Sequence, residues 1–366
     1  MRRTTTAGLV AGLAACTVLG LTGCGSTSSS SSASGSASSA GASGSAGASA
    51  SASNAALTVP VRPSPTGACT LPEAANVTDL TFAQLAQYQL KNGEPIPTLA
   101  EFLNYANDVG VGVLPEIKTF PPAADQPKPV PTQAQFQQYS DMVRSRTNIS
   151  EVLIGSFDET TLKYFADNDP SWPRVWFRGV GNGDAFAPPT VAEMQQRAPS
   201  ANALGVLNIL YVQGTFAPNQ QPYDVPKEFA DAQIPVYIWY NVATKGDTPE
   251  NGPDLAGVTS PGWQAIASMT PKNVKWIATD MTKEYTAWAA TATEAEKPIP
   301  QMVAHRGGGE ADISENSMAA FKEAVANGAK VLETDVQWTK PTPEEPNGVP
   351  VLMHDATINR TSVCPT

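Results

Sequence analysis

From residue 57 onward the apolar and polar positions repeat one rhythm. Leu99, Phe102, Leu103 and Ala106 fall at i, i+3, i+4 and i+7, which predicts an amphipathic helix that Gly110 ends. The next run, VGVLPEIKTF, is short and largely apolar, the pattern of a buried strand, and carries Glu116 and Lys118 toward its C-terminal end. Strand-like runs recur at EVLIGSF, PRVWFRG, LGVLNILYV, IPVYIWYNV, VKWIATD, QMVAHRG and KVLETDV. Stretches with helical or polar character lie between them, among them TTLKYFADN, TVAEMQQRA, VPKEFADAQ, SPGWQAIASM, TKEYTAWAAT and NSMAAFKEAVANGA. Strands alternating with helices over this length predict an α/β fold, a parallel sheet closed as a (β/α)8 TIM barrel. An open doubly wound sheet is the competing architecture, but no strand is followed by the glycine-rich phosphate fingerprint; HRGGG is not G-x-G-x-x-G.

The first 56 residues break this rhythm. Arg2 and Arg3, an apolar run from Ala7 to Leu21, and Leu21-Thr22-Gly23-Cys24 predict a secretory signal over 1–23. Leu-Thr-Gly-Cys resembles a bacterial lipobox, which implies cleavage before Cys24 and lipidation of its sulfur. From residue 24 to 56 the chain is almost wholly Ser, Ala and Gly, too poor in apolar surface to offset its ordering entropy. Such a tether reaches about 30–35 Å, at ~5–6 Å per square root of residue number. The expectation is an exported protein held at the extracytoplasmic face of the cell membrane by a lipid anchor.

Charge narrows the partners. The chain carries a net charge of −11, and losing Arg2 and Arg3 with the signal makes it more acidic still. No basic run appears, so nucleic acid is a poor partner. Four cysteines are present; Cys16 leaves with the signal and Cys24 is the lipidation candidate. The remaining pair, Cys69 and Cys364, predicts a disulfide in an exported protein, with two free thiols as the alternative.

Candidate chemistry gathers at the C-terminal end. The chain has two histidines, His305 and His354, each after an apolar run. Between them Glu333 and Asp335 lie two apart in a strand, so both carboxylates share a face and can reach one ion. In a barrel, Glu116, Lys118, His305, Glu333 and Asp335 all lie toward C-terminal strand ends and converge on one mouth. Three acids and no cysteine to spare suit a hard divalent cation, Ca2+ or Mg2+. Imidazoles titrate near neutrality and suit general acid–base work. Arg306 and Lys118 fit either phosphate contacts or salt bridges that hold the carboxylates.

Several short motifs together resemble the glycerophosphodiester phosphodiesterase family. They are His305-Arg306-Gly307, Glu315-Asn316-Ser317, Glu333-Thr334-Asp335, and His354-Asp355 with Asn359-Arg360-Thr361. The later half of that family is matched by Ile96-Pro97-Thr98-Leu99, Glu116-Ile117-Lys118, Ser156-Phe157, Trp239 before Asn241, and Thr279-Asp280. The halves stand in reversed order, which implies a circular permutant, with two truncated tandem domains as the rival reading: the later half over 57–290, a joining linker over 291–301 and the opening half over 302–366. The resemblance implies His305 and His354 as catalytic, Glu333, Asp335 and Glu116 as ligands of one divalent cation, and Arg306, Lys118 and Trp239 against the substrate. Asn316 is either the cap of the following helix or a neighbour of the metal. The TKPTPEEPNGVPV segment reads as a short hairpin insertion, longer than the family's tight turn. Permutation would also bring Cys69 and Cys364 together. The implied reaction is hydrolysis of a small glycerophosphodiester to sn-glycerol 3-phosphate and an alcohol. A lysophospholipid or wall-polymer glycerol phosphate is another candidate substrate, and a non-catalytic phosphodiester-binding lipoprotein the competing class.

Overall fold

The computed structural model describes residues 59–63, 69, 75–119, 130–179, 188–212, 224–239, 251–255, 258–308 and 314–365. The expected signal segment, Cys24 and the tether over 24–56 lie outside the described residues, as does Asn241.

Eight parallel strands form the frame: β1 Gly112–Ile117, β2 Ile154–Ser156, β3 Arg174–Phe177, β4 Ala203–Leu207, β5 Val236–Trp239, β6 Val274–Thr279, β7 Gln301–Ala304 and β8 Val331–Trp338. Each pairs with the next in sequence from β2 to β8, and β8 returns to β1 over six residue pairs from Val331–Gly112 to Val336–Ile117. The ring closes between β1 and β2, where Val113 bridges Val152 and donates its N–H to the Glu151 carbonyl at 2.8 Å. The expected (β/α)8 TIM barrel is therefore the architecture.

The helices α1 Leu99–Val109, α2 Gln133–Arg144, α3 Glu159–Asn168, α4 Val191–Arg197, α5 Val225–Asp231, α6 Trp263–Ser268, α7 Thr282–Thr291 and α8 Met318–Ala326 join the strands or lead into them. Local chemistry sets their ends. Thr98 and Glu101 form a capping box at the start of α1, and Gly110 closes it at φ 72°. The LGVLNILYV run departs from expectation: only Ala203–Leu207 is strand, and Asn208–Val212 turns into a short helix. Continuous hydrophobicity cannot separate the two states over so short a run.

Alternation along the strands divides the core. One apolar layer packs between the outer strand faces and the helices. Leu114, Leu153, Val175, Phe177, Ala203, Tyr237, Trp276, Ala278, Val303 and Val331 face inward and fill the barrel. A satellite core, including Val77, Phe82, Leu85, Tyr88, Val351, Met353 and Ile358, lies under the segment that precedes α1. The expected hairpin forms as β9, Pro350–Leu352, antiparallel to the end of β8. Gln89–Leu90 pairs with Ser362–Val363, and Cys69 is bonded to Cys364 across 295 positions with a Cα separation of 5.6 Å. Among the described residues no helix is long and apolar enough to cross a membrane.

Candidate active site

Continuing the inward parity of each strand to its C-terminal end defines the mouth. Leu114 inward puts Glu116 inward; Ala278 does the same for Asp280, Val303 for His305, and Val331 for Glu333 and Asp335. Glu116, Glu333 and Asp335 are 6%, 2% and 1% exposed, and ligand atoms from all three lie within 4.8 Å of one another. Three buried carboxylates this close repel strongly unless cations stand among them. Lys118 Nζ lies 2.8 Å from both Glu116 Oε2 and Asp335 Oδ1. Arg306 Nε lies 3.2 Å from Asp335 Oδ2, and the backbone N–H of Arg306 donates to Glu333 Oε2 at 2.7 Å. Arg306 itself is held in a left-handed conformation, φ 51°, just after β7.

The two protein cations leave one of the three negative charges unmatched. Burial pushes the Glu333 carboxyl up, reinforced by the charges of Asp335 and Glu116. Burial acts the same way on Asp335, but Lys118 and Arg306 outweigh it and hold that carboxyl well below its usual range. An all-oxygen set with unneutralised charge fits a hard divalent cation. Glu116, Glu333 and Asp335 are the residues that could hold it.

Asn316 is part of this cluster and not the helix cap. Its amide donates to Asp335 Oδ2 at 2.8 Å, and its carbonyl accepts from the Thr334 hydroxyl at 2.7 Å. Ser317 performs the capping, accepting from the Ala320 N–H at 3.1 Å. An Asn that fixes a carboxylate tolerates the positive φ of 56° seen here better than most side chains.

Each histidine is oriented through Nδ1. His305 Nδ1 lies 2.9 Å from Asp280 Oδ1, and His354 Nδ1 lies 2.6 Å from Asp355 Oδ1. Such contacts fix the ring and leave proton exchange to Nε2. Their environments push the two rings in opposite directions. For His305, burial and Arg306 favour the neutral form, but Asp280 and Glu333 prevail and its pKa is raised. For His354 burial dominates and the pKa is lowered.

Arg306 and Lys118 take the salt-bridging arrangement with the acids; Arg306 also reaches Glu315 at 3.2 Å. Trp239, at the end of β5, packs on both the inner and outer core, and its indole N–H is buried without a hydrogen-bond partner among the described residues. Asp280, Glu315, Asp355 and Arg360 were not singled out as site residues by residue type or spacing, although each falls in a matched motif. Of these only Asp355 stands beside a histidine in the sequence; Asp280 lies 25 positions from His305.

Residues 305–365 match the glycerophosphoryl diester phosphodiesterase family. That segment contains His305, Arg306, Glu315, Asn316, Glu333, Asp335, His354, Asp355 and Arg360. Glycerophosphodiester phosphodiesterase 1 of Rattus norvegicus is 47% identical over 60 residues, which cover 16% of this chain and 16% of the relative. A glycerophosphodiester phosphodiesterase of Caldanaerobacter subterraneus is 43% identical over 61 residues, covering 17% of this chain and 22% of that protein. The match therefore spans about a fifth or less of these relatives' lengths. A crystal structure of a glycerophosphodiester phosphodiesterase from Parabacteroides distasonis aligns over 58% of this chain and 72% of its own, at 16% identity and a TM-score of 0.39.

Proposed function

We propose that the chain, whose residues 305–365 match the glycerophosphoryl diester phosphodiesterase family, hydrolyses glycerophosphodiesters to sn-glycerol 3-phosphate and an alcohol. The observation that carries this reading is the placement of two carboxylate-oriented histidines around a buried three-acid cluster.

Breaking a phosphodiester requires a nucleophile relieved of its proton, a proton for the leaving oxygen, and neutralisation of charge at phosphorus. His305 and His354 act as the acid–base pair through Nε2. Asp280 and Asp355 keep each ring in one tautomer. A Ca2+ or Mg2+ ion bound by Glu116, Glu333 and Asp335 would supply charge neutralisation at the phosphoryl oxygens. Arg306 and Lys118 stand beside those acids, where a phosphate would meet a guanidinium fork and an ammonium point charge. The unpartnered indole N–H of Trp239 suits a substrate oxygen. The attacking group is either the substrate's own glycerol hydroxyl, through a cyclic phosphate that water opens, or water directly.

The reversed order of the motifs supports a circular permutation. A closed ring of βα units has no topologically first strand, so moving the ends preserves every neighbour relation. The matched segment starts just after β7, and the Cys69–Cys364 bridge joins the two sides where the break would fall. Export and lipidation at Cys24 would place the enzyme outside the membrane.

The test is glycerol 3-phosphate release by the purified chain from glycerophosphocholine and glycerophosphoethanolamine, with EDTA and then with Ca2+ or Mg2+ restored. Metal-dependent release that a His354→Ala variant lacks is the expected result. Folded, metal-binding protein that releases nothing would sink the hydrolase reading and leave phosphodiester binding.

A further inference from the structure

The same inward parity that gathers the acids places aromatic rings on the adjoining part of the mouth. Leu153 faces inward, and so Gly155 and Phe157 share that face at the end of β2; Val175 and Phe177 do the same on β3. Phe177 has a built seat. A Cβ at Gly155 or Gly205, on the strands flanking it, would stand 2.5 Å or 2.3 Å from its ring. Phe177 in turn lies 5.4 Å from Tyr237, centroid to centroid, and is only 6% exposed. Phe157 rests on Phe177 at 5.4 Å, yet is itself 41% exposed, one of the few large apolar side chains so open to solvent among the described residues.

The mouth is thus divided. Glu116, Asp280, His305, Glu333 and Asp335 occupy the ends of β1, β6, β7 and β8, while Phe157 and Phe177 stand at the ends of β2 and β3. β2 adjoins β1, so Phe157 is displaced from the Glu116 strand by one strand spacing, about 5 Å. A two-carbon alcohol attached to a phosphate spans a comparable distance.

From this division we propose that the Phe157–Phe177 pair is the subsite for the alcohol half of the substrate, and that it selects a quaternary ammonium group such as that of choline. The inference rests on the phosphodiesterase reading of the adjoining acids. Phenyl faces carry negative potential and attract a cation that needs no hydrogen bonds. A primary ammonium or a polyol set against the same rings loses water partners that the phenyl groups cannot replace. Phe157 contributes the accessible face, and the glycine-seated Phe177 holds it in place.

Two measurements on the full chain test this subsite. Direct titration with choline needs no turnover: saturable binding to the wild type is expected, weakened about 5- to 10-fold by Phe157→Leu, which keeps apolar bulk but removes the π face. The second is selectivity, the ratio of kcat/KM for glycerophosphocholine to that for glycerophosphoglycerol. Phe157→Leu and Phe157→Ala should lower this ratio about 5- to 10-fold, chiefly through KM for the choline diester. A diester of 3,3-dimethylbutanol, the neutral isostere of choline, should be the poorer substrate of the wild type. Equal turnover of the isostere, or a ratio indifferent to both substitutions, overturns the assignment. So does a wild type that shows no saturable choline binding. Choline binding that depends on Phe157 in a chain that hydrolyses neither diester upholds the subsite and defeats the hydrolase reading alone.

Discussion

Arg360 and Glu315 form a two-pronged ion pair, Nη1 to Oε2 at 2.9 Å and Nη2 to Oε1 at 2.5 Å. The same guanidinium bonds Asp355, which orients His354, while Glu315 also holds Arg306. One side chain therefore fixes the position of a candidate catalytic base or acid relative to a candidate phosphate ligand. Replacing it with Gln should lower kcat about 10- to 100-fold through misplacement. Arg360→Lys, which keeps the charge but not the planar fork, should recover only part of that loss in steady-state assays.

This network also has an acid limit. The hydrogen bond from His354, aided by Arg360, holds the Asp355 carboxyl below its ordinary value. Burial would raise Glu315, but Arg360 and Arg306 prevail and lower it. Groups with depressed folded-state pKa values stabilise the fold above their unfolded pKa, about 4, and lose that contribution as pH falls through the folded values. Arg360 is 45% exposed, so solvent screening limits its share to about 1 kcal/mol. Urea unfolding should show that deficit in Arg360→Gln at pH 7, with the gap from wild type closing below about pH 4.

Metal binding should be visible without any substrate. Titrating Ca2+ or Mg2+ into EDTA-treated protein should raise Tm in a saturable way. A stabilisation of about 2.7 kcal/mol is expected at a hundredfold excess over Kd, a shift of several degrees for a domain of this size. Glu333→Gln should abolish most of the rise; a rise that persists in the variant would place the ion elsewhere.

Gly155→Ala and Gly205→Ala each drive a methyl into the Phe177 ring. Overpacking of this kind costs about 1–3 kcal/mol. Chemical denaturation should show the loss in both variants. Gly93→Ala, at a glycine with open space around it, meets no neighbour within 4 Å and pays only for its positive φ.

The covalent link between Cys69 and Cys364 closes a loop of nearly the whole described domain. In the chain-entropy account a loop this long is worth about 5–6 kcal/mol. A Cys69→Ser, Cys364→Ser double variant should lose that much, and comparison of unfolding midpoints in oxidised and reduced wild type should give a matching difference.

Periodicity carried most of the barrel because buried strands and amphipathic helices leave strong, distinct patterns. It fails where burial erases the pattern: Leu204 to Val212 is apolar apart from Gly205 and Asn208, yet Asn208 begins a helix. α2 was equally hard to see, because its buried Phe136, Tyr139, Met142 and Val143 are diluted by a glutamine-rich surface. In the site, residue type and strand parity pointed to Glu116, Glu333 and Asp335, which do converge. Parity alone could not reveal Asn316 as a carboxylate holder, because its helix-proximal position reads equally well as a cap. Nor could it reveal Phe177 as a seated ring, since that depends on two glycines on neighbouring strands.

The Cys69–Cys364 bond also sets the mechanical behaviour of the domain. Tension applied beyond these two residues runs from one sulfur to the other and bypasses the 295-position stretch between them. The barrel and its mouth carry none of that load while the bond is intact. A protease cut in any loop of the enclosed chain would likewise leave two fragments still joined.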